Sequence, residues 1–303
     1  MSCELWDVCC GSRVSREGVE NPILTPTTKR TTHSSLPILF IFLISFSFSS
    51  CSSLSYFTHQ QELTVTQQKD FSAHQVATPS KKLRVGERLE YDVHWMGLGV
   101  GGGTLEVKEI VQMEGKDAYH VVVTTRSNRF LSTFYPVEDE IHSYMDVETL
   151  LPYKFRKIQR EGRYRADEEM VYDQAAHQAT YHSFRNNTRK EMEISPNAQD
   201  SLSTLFYFRT LPLEIGKSVF IDVNADEKNW RLEVKILKSG LLKLFAKKEI
   251  PAVLTEPLAQ FHGVFIRKGR MQIWFSLDEK RTPLYMKASV PFGIVEVVLK
   301  KES

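Results

Sequence analysis

The segment Gly97-Leu98-Gly99-Val100-Gly101-Gly102-Gly103 places Gly97, Gly99 and Gly102 at the spacing of a dinucleotide-binding fingerprint. That chemistry needs the glycines to open a helix whose N-terminus faces the pyrophosphate. Here Thr104-Leu105-Glu106-Val107 continues as a strand, so the glycines are predicted to form a turn or to let backbones approach closely. Asp92 and His94 share one strand face, and His142 follows Glu138, Asp139 and Glu140. Carboxylates beside imidazoles could hold a metal or move protons, but neither group has a third partner. Exposed strand faces carry such residues as solvated charge, so no metal site is expected. No Gly-x-Ser-x-Gly elbow, His-Glu-x-x-His helix or phosphate loop occurs. The expectation is a protein without catalytic residues and without a cofactor.

The basic residues Lys154, Arg156, Lys157, Arg160, Arg163 and Arg165 suggest an anion patch. A two-residue hairpin at Glu161-Gly162 would set Arg156 opposite Asp167 and Lys154 opposite Glu169, so most of that charge meets its opposite. Arg160 and Arg163 are left unpaired at the tip, which reads as a solubilising hairpin or, alternatively, as a contact for lipid headgroups. Over the whole chain of 303 residues, 39 Lys and Arg face 37 Asp and Glu. The net charge of +2 implies no polyanionic partner, and nucleic acid is not expected.

The cysteines are Cys3, Cys9, Cys10 and Cys51, so the body of the chain has no disulfide framework, thiolate nucleophile or cysteine-ligated zinc. Lys29 and Arg30 precede an apolar run, Leu36 to Phe48. Its 13 positions are too few to span a bilayer and suit a signal-peptide core of roughly 7–15 residues. Phe48-Ser49-Ser50-Cys51 resembles the lipobox of bacterial lipoproteins, with Phe48 where that class prefers Leu. The resemblance implies lipidation of Cys51 and, with Ser52 rather than Asp next, sorting to the outer membrane. Acyl chains on Cys51 would anchor the protein firmly. The residues before Lys29 make an unusually long leader, and translation is expected to start nearer Lys29.

Residues 1–50 are therefore read as an amino-terminal extension with a signal peptide. Residues 51–81, polar and Gln-rich, read as a tether that cannot bury enough surface to fold alone. Residues 82–303 are long enough for a sizeable core, and their period is two. Leu89, Tyr91, Val93 and Trp95 alternate with Glu90, Asp92, His94 and Met96. The same rhythm recurs in Tyr119-Val121-Val123, Ile141-Ser143, Tyr153-Phe155, Met170-Tyr172 and Val219-Ile221-Val223. It continues in Trp230-Leu232-Val234-Ile236, Met271-Ile273-Phe275-Leu277 and Val295-Val297-Leu299. Glu114-Gly115, Glu161-Gly162 and Lys268-Gly269 supply hairpin turns. One segment differs: after Ser195-Pro196-Asn197, the spacing of Leu202, Leu205, Phe206 and Arg209 predicts a short helix over 198–209. The fold expected is mainly β, a curved antiparallel sheet or half-barrel with one short helix plugging or flanking it.

Several blocks then resemble the bacterial domain-of-unknown-function family numbered 3108. They are Gly86 to Trp95, the glycine segment ending Gly103-Thr104-Leu105, Tyr144-Met145-Asp146 with Leu150-Leu151-Pro152, Asp200-Ser201-Leu202-Ser203 with Phe208-Arg209, and Thr282-Pro283-Leu284 before Phe292-Gly293. The resemblance spans nearly all of Leu83 to Leu299. It implies an exported β-rich domain of Gram-negative bacteria and carries over no activity, catalytic residue or cofactor. The function expected is a non-enzymatic, lipid-anchored periplasmic module that binds lipid, lipoprotein or envelope polymer, with Trp95, Trp230 and Trp274 either lining an apolar groove or, in the preferred reading, simply belonging to the core. The alternative is a structural lipoprotein that docks in an envelope complex through strand edges or an apolar patch. A dry cavity of about 300 Å³ or more would mark the carrier, and a filled core the docking piece.

Overall fold

The computed structural model describes residues 82–244, 249–261, 264–265, 270–290 and 293–303. The expected signal, Cys51, the tether and the Lys268-Gly269 turn lie outside the described residues. Among the described residues no helix is long and apolar enough to cross a membrane.

Alternating apolar residues produce strands almost without interruption. They are β1 (Arg88–Trp95), β2 (Leu98–Met113), β3 (Lys116–Ser127), β4 (Glu138–Asp146), β5 (Pro152–Glu161), β6 (Tyr164–Asp173), β7 (Gln178–Ser183) and β8 (Thr188–Glu193). After a helical interlude come β9 (Ser218–Ala225), β10 (Lys228–Lys243), β11 (Glu249–Phe261), β12 (Val264–Phe265), β13 (Arg270–Ser276), β14 (Pro283–Val290) and β15 (Gly293–Glu302). Two short helices interrupt them, α1 (Arg129–Ser132) and α2 (Ser203–Arg209).

All fifteen strands join one antiparallel sheet in the order β8-β7-β6-β5-β4-β3-β2-β1-β15-β14-β13-β11-β10-β9, with β12 paired to β11. Strands consecutive in sequence pair with one another except β8 with β9 and β12 with β13, and at the middle β1 pairs with β15. Strands β8 and β9 lie at the two ends of this path, so the sheet is not closed into a barrel. It nevertheless curls far enough for its ends to meet through side chains. Asn229 Nδ2 donates to the Glu193 carbonyl at 2.9 Å, Tyr172 Oη donates to the Asn224 carbonyl at 3.3 Å, and Lys190 pairs with Glu227. Gln199, on the way to α2, adds one rung beside β9: its amide donates to Asp222 O and its carbonyl accepts from the Asn224 amide, both at 2.8 Å.

The glycine segment is strand rather than turn, and close approach explains it. A Cβ on Gly101 would lie 2.3 Å from the Arg126 carbonyl oxygen, and one on Gly102 would lie 2.8 Å from the Tyr91 carbonyl. Only Gly97, with φ +81°, sits in a turn, where Met96 at +51° completes the paired positive φ of a two-residue hairpin. Glu114-Gly115 forms the expected hairpin between β2 and β3. The β5–β6 loop is Gly162-Arg163 instead of Glu161-Gly162, so Arg156 lies opposite Glu169, not Asp167, and Arg160 opposite Arg165. Among the described residues of this loop, positive φ falls on Gly162 alone, and a loop that uses glycine first avoids forcing it on Glu161. The slip is two partners wide and keeps every side chain on its face. Arg156 therefore still reaches Asp167 at 2.9 Å and Lys154 still reaches Glu169 at 3.2 Å. Arg160 is not left alone either, lying 3.7 Å from Glu138.

The predicted helix over 198–209 is shorter, seven residues from Ser203. The backbone of Gln199 is committed to β9, and helical hydrogen bonding begins only beyond it. Asp200 organises that start: its carboxylate accepts from the Leu202 and Ser203 amides at 2.7 and 2.6 Å, while Ser203 Oγ accepts from the Asp200 amide. Such reciprocal capping satisfies amides that the first helical turn leaves open. Ser203, Thr204, Leu205, Phe206, Phe208 and Arg209 are all buried, so α2 fills the inner face of the sheet rather than flanking it. It packs in the main core with Leu89 and Val93 of β1, Val107 of β2, Ile221 of β9 and Phe275 of β13. The rings of Phe208 and Phe275 stand 5.0 Å apart.

Candidate functional site

Where the sheet's ends meet, the inner face turns polar. β5 contributes Lys157, β6 contributes Glu168, Met170 and Tyr172, β7 contributes Tyr181, β9 contributes Asn224, and the β9–β10 turn contributes Asp226 and Glu227. The period-two rule explains the set: Phe155 and Lys157, then Glu168, Met170 and Tyr172, all occupy inward positions of adjacent strands. They enclose about 40 Å³, room for a few waters and far less than an acyl chain needs. A second cavity, between Tyr91, Leu205 and Tyr285, holds about 20 Å³.

Lys157 is 8% exposed. Its Nζ lies 3.0 Å from Glu168 and 3.7 Å from Asp226, across the meeting point of the sheet's ends. Burial by itself would lower the lysine pKa, but the two carboxylates outweigh it and hold the ammonium above its ordinary value. Burial pushes the Asp226 carboxyl up to about 6 against the pull of Lys157. Farther along β5, burial and a hydrogen bond with Asp139 push Glu161 up to about 8. Asp200, at the start of α2, is likewise raised to about 6 by burial, opposed by the Ser143 hydroxyl and two amides. Lys157, Glu168 and Asp226 form a latch of paired charge. No group of three metal-binding side chains occurs among the described residues.

The three tryptophans do not share a groove. Trp95 and Trp230 pack with the main core around α2, and Trp230 Nε1 donates to the Ala225 carbonyl at 3.0 Å. Trp274 is 5% exposed in a second cluster with Leu242, Leu254, Leu284 and Tyr285. Its neighbours Ile273 and Phe275 belong to the main core, so Trp274 points to the opposite face of the sheet. Replacing Trp274 by Ala is expected to cost about 3 kcal/mol of stability through lost burial and a residual cavity. A urea midpoint unchanged from the parent would instead show that the ring is dispensable for folding and free to serve a ligand.

The histidine candidates separate in the same way. Asp92 lies 3.3 Å from Lys300. His142 joins His120, which sequence reasoning missed, with Nδ1 and Nε2 3.0 Å apart on the outer face of β3 and β4. Glu109 lies 3.4 Å from His120, Glu140 3.0 Å from His142, and the Tyr144 ring stacks 4.4 Å from His120. Burial dominates both imidazoles and lowers their pKa, which favours the neutral ring. The pair is a cross-strand stack of imidazoles flanked by two carboxylates.

No curated protein matches this chain. Two solved structures are similar in outline. One is described as a beta-barrel-like protein of domain of unknown function DUF1849 from Brucella abortus, 9% identical, covering 72% of this chain and 97% of its own, with a TM-score of 0.49. The other is described as a putative exported protein with YmcC-like fold from Bacteroides fragilis, also 9% identical, covering 75% of this chain and 99% of its own, with a TM-score of 0.32. The family described as a protein of unknown function, DUF3108, matches residues 90–300, most of the chain and nearly all of the sheet, and this chain belongs to that family.

Proposed function

We propose that this protein is a non-catalytic, lipid-anchored module of the bacterial cell envelope that works by docking to a partner rather than by carrying a ligand inside its sheet. The observation that carries this reading is α2. In a carrier, the inner face of a curved sheet is where an apolar ligand would lie; here Phe206 and Phe208, 0% and 4% exposed, occupy it. The two cavities given above are sized for water. Docking has material to work with along β9 before the rung supplied by Gln199, where the strand ends the sheet path without a neighbouring strand. The β9 edge also exposes Phe220 at 50%. The apolar run before Cys51 and the lipobox-like Phe48-Ser49-Ser50-Cys51 support export and anchoring on the periplasmic side, at the outer membrane.

Lipid or glycan carriage is the competing reading, and one experiment separates the two. Native mass spectrometry of the full chain purified from a Gram-negative envelope, with solvent extraction of the same sample, is expected to find only covalently attached acyl groups. A stoichiometric, non-covalent lipid or glycan would overturn docking in favour of carriage.

A further inference from the structure

Up-and-down strands place alternate connections at opposite ends of the sheet. The β1–β2, β3–β4, β5–β6 and β7–β8 connections therefore lie along one rim. Hydrogen bonds weld them together. Asn128 Nδ2 donates to the Gly99 carbonyl at 2.6 Å, the Gly162 amide to Pro136 O at 2.8 Å, and the Phe184 amide to Asp167 O at 2.9 Å. Along this rim large apolar groups face solvent: Leu98 is 61% exposed, Phe130 67%, Phe134 65% and Phe184 42%. The Phe130 and Phe134 rings meet edge-on at 5.8 Å, so each holds the other outward.

The charges of the same rim are lopsided. Its carboxylates are already engaged: Glu138 with Arg126 at 3.3 Å and Arg160 at 3.7 Å, and Asp139 with the Arg160 amide at 2.9 Å. Arg129, Arg163 and Arg185 are exposed and pair with no carboxylate among the described residues. What remains presented is cationic and aromatic. Interfaces with anionic lipid want that combination, since guanidinium groups meet headgroup phosphates while aromatic rings settle among the upper acyl carbons.

We infer that this rim is a contact surface for an anionic phospholipid membrane. It acts in addition to any acyl anchor and independently of what the sheet edges hold. Lys82, where the described chain begins, sits by Glu148 of the β4–β5 turn, at the opposite end of the sheet. The rim therefore addresses lipid at the end of the domain remote from its own tether.

Amide hydrogen exchange of the full chain tests this on two kinds of vesicle, phosphatidylethanolamine with phosphatidylglycerol, and phosphatidylcholine alone. An anchor would hold the protein to both, so the difference between them isolates the rim. Exchange at 128–137, 162–165 and 184–187 is expected to slow several-fold on the anionic vesicles only, and to recover in high salt. The combined variant Arg129→Gln, Arg163→Gln and Arg185→Gln is expected to abolish the difference while keeping the parent's thermal midpoint, because all three side chains are exposed. Equal protection on both vesicles, protection elsewhere in the sheet, or none at all would overturn the assignment.

Discussion

Replacing Glu87 by Ala is expected to destabilise the fold by about 4 kcal/mol, more than its position just ahead of the first strand suggests. Glu87 and Arg209 are 4% and 5% exposed, and the guanidinium Nη2 donates to Glu87 Oε1 at 2.6 Å. Arg209 Nε also donates to the Lys280 carbonyl at 3.0 Å, and its plane lies 5.2 Å from the Phe206 ring. The cation is held by one carboxylate, one carbonyl and one ring, with Nη1 buried and lacking a hydrogen-bond partner. Removing the carboxylate strands a positive charge in a core where water cannot replace it. The double variant Glu87→Leu with Arg209→Met is expected to recover most of the loss, because it removes both desolvation costs and keeps the volume. Urea midpoints of the two variants and the parent check this. A loss below about 1 kcal/mol in the single variant would mean that water reaches the pair.

The second large effect concerns pH and Glu161. Burial, reinforced by the hydrogen bond with Asp139, raises its carboxyl from the ordinary 4.5 to about 8, and Gln159 Nε2 donates to it at 3.1 Å. A carboxyl with a raised folded pKa stabilises the native state below its unfolded value, and that contribution disappears as pH climbs through the folded value. Stability attributable to Glu161 should therefore be full near pH 4 and gone by pH 8, a difference on the order of 4 kcal/mol. Glu161→Gln keeps a donor toward Asp139 and an acceptor for Gln159 but cannot ionise. Its thermal midpoint should match the parent in acid and exceed it at pH 8. Asp200 and Asp226, both raised to about 6, act in the same direction at lower pH, whereas the two lowered histidines act oppositely. Subtracting the variant's profile from the parent's removes all four. Parallel profiles would sink the assignment of an unusual acid to Glu161.

Local alternation was enough to see most of this fold in the sequence, and the failures have definite physical sources. β8 was missed because an edge strand needs no apolar face, and Thr188-Arg189-Lys190-Glu191-Met192-Glu193 is charged where a central strand would be greasy. β11 was missed because Pro251 and Pro257 argue against a strand. The separation of Trp274 from Trp95 and Trp230 rests on a signal that was present. The alternation Met271-Ile273-Phe275 already put Trp274 on the other face. The Lys157 latch and the Glu87–Arg209 pair were not legible at all. Their partners are 69 and 122 positions apart and meet only once the sheet has curled and α2 has entered it.

The pairing of β1 with β15 at the centre of the sheet has a consequence for how the molecule is assembled. Leu89 lies opposite Glu302 and Trp95 opposite Val295, so the first strand to be synthesised waits for the last. The hairpins on either side can zip locally within microseconds, whereas this ladder must close a loop of roughly two hundred residues. Ribosomes add about 5–20 residues per second, so β1 spends at least ten seconds or so with one hydrogen-bonding edge unsatisfied. Two half-sheets, β1–β8 and β9–β15, are then natural intermediates, joined at a central ladder that forms late. A released chain truncated before residue 293 should be a substrate for chaperones, and the full released chain should not.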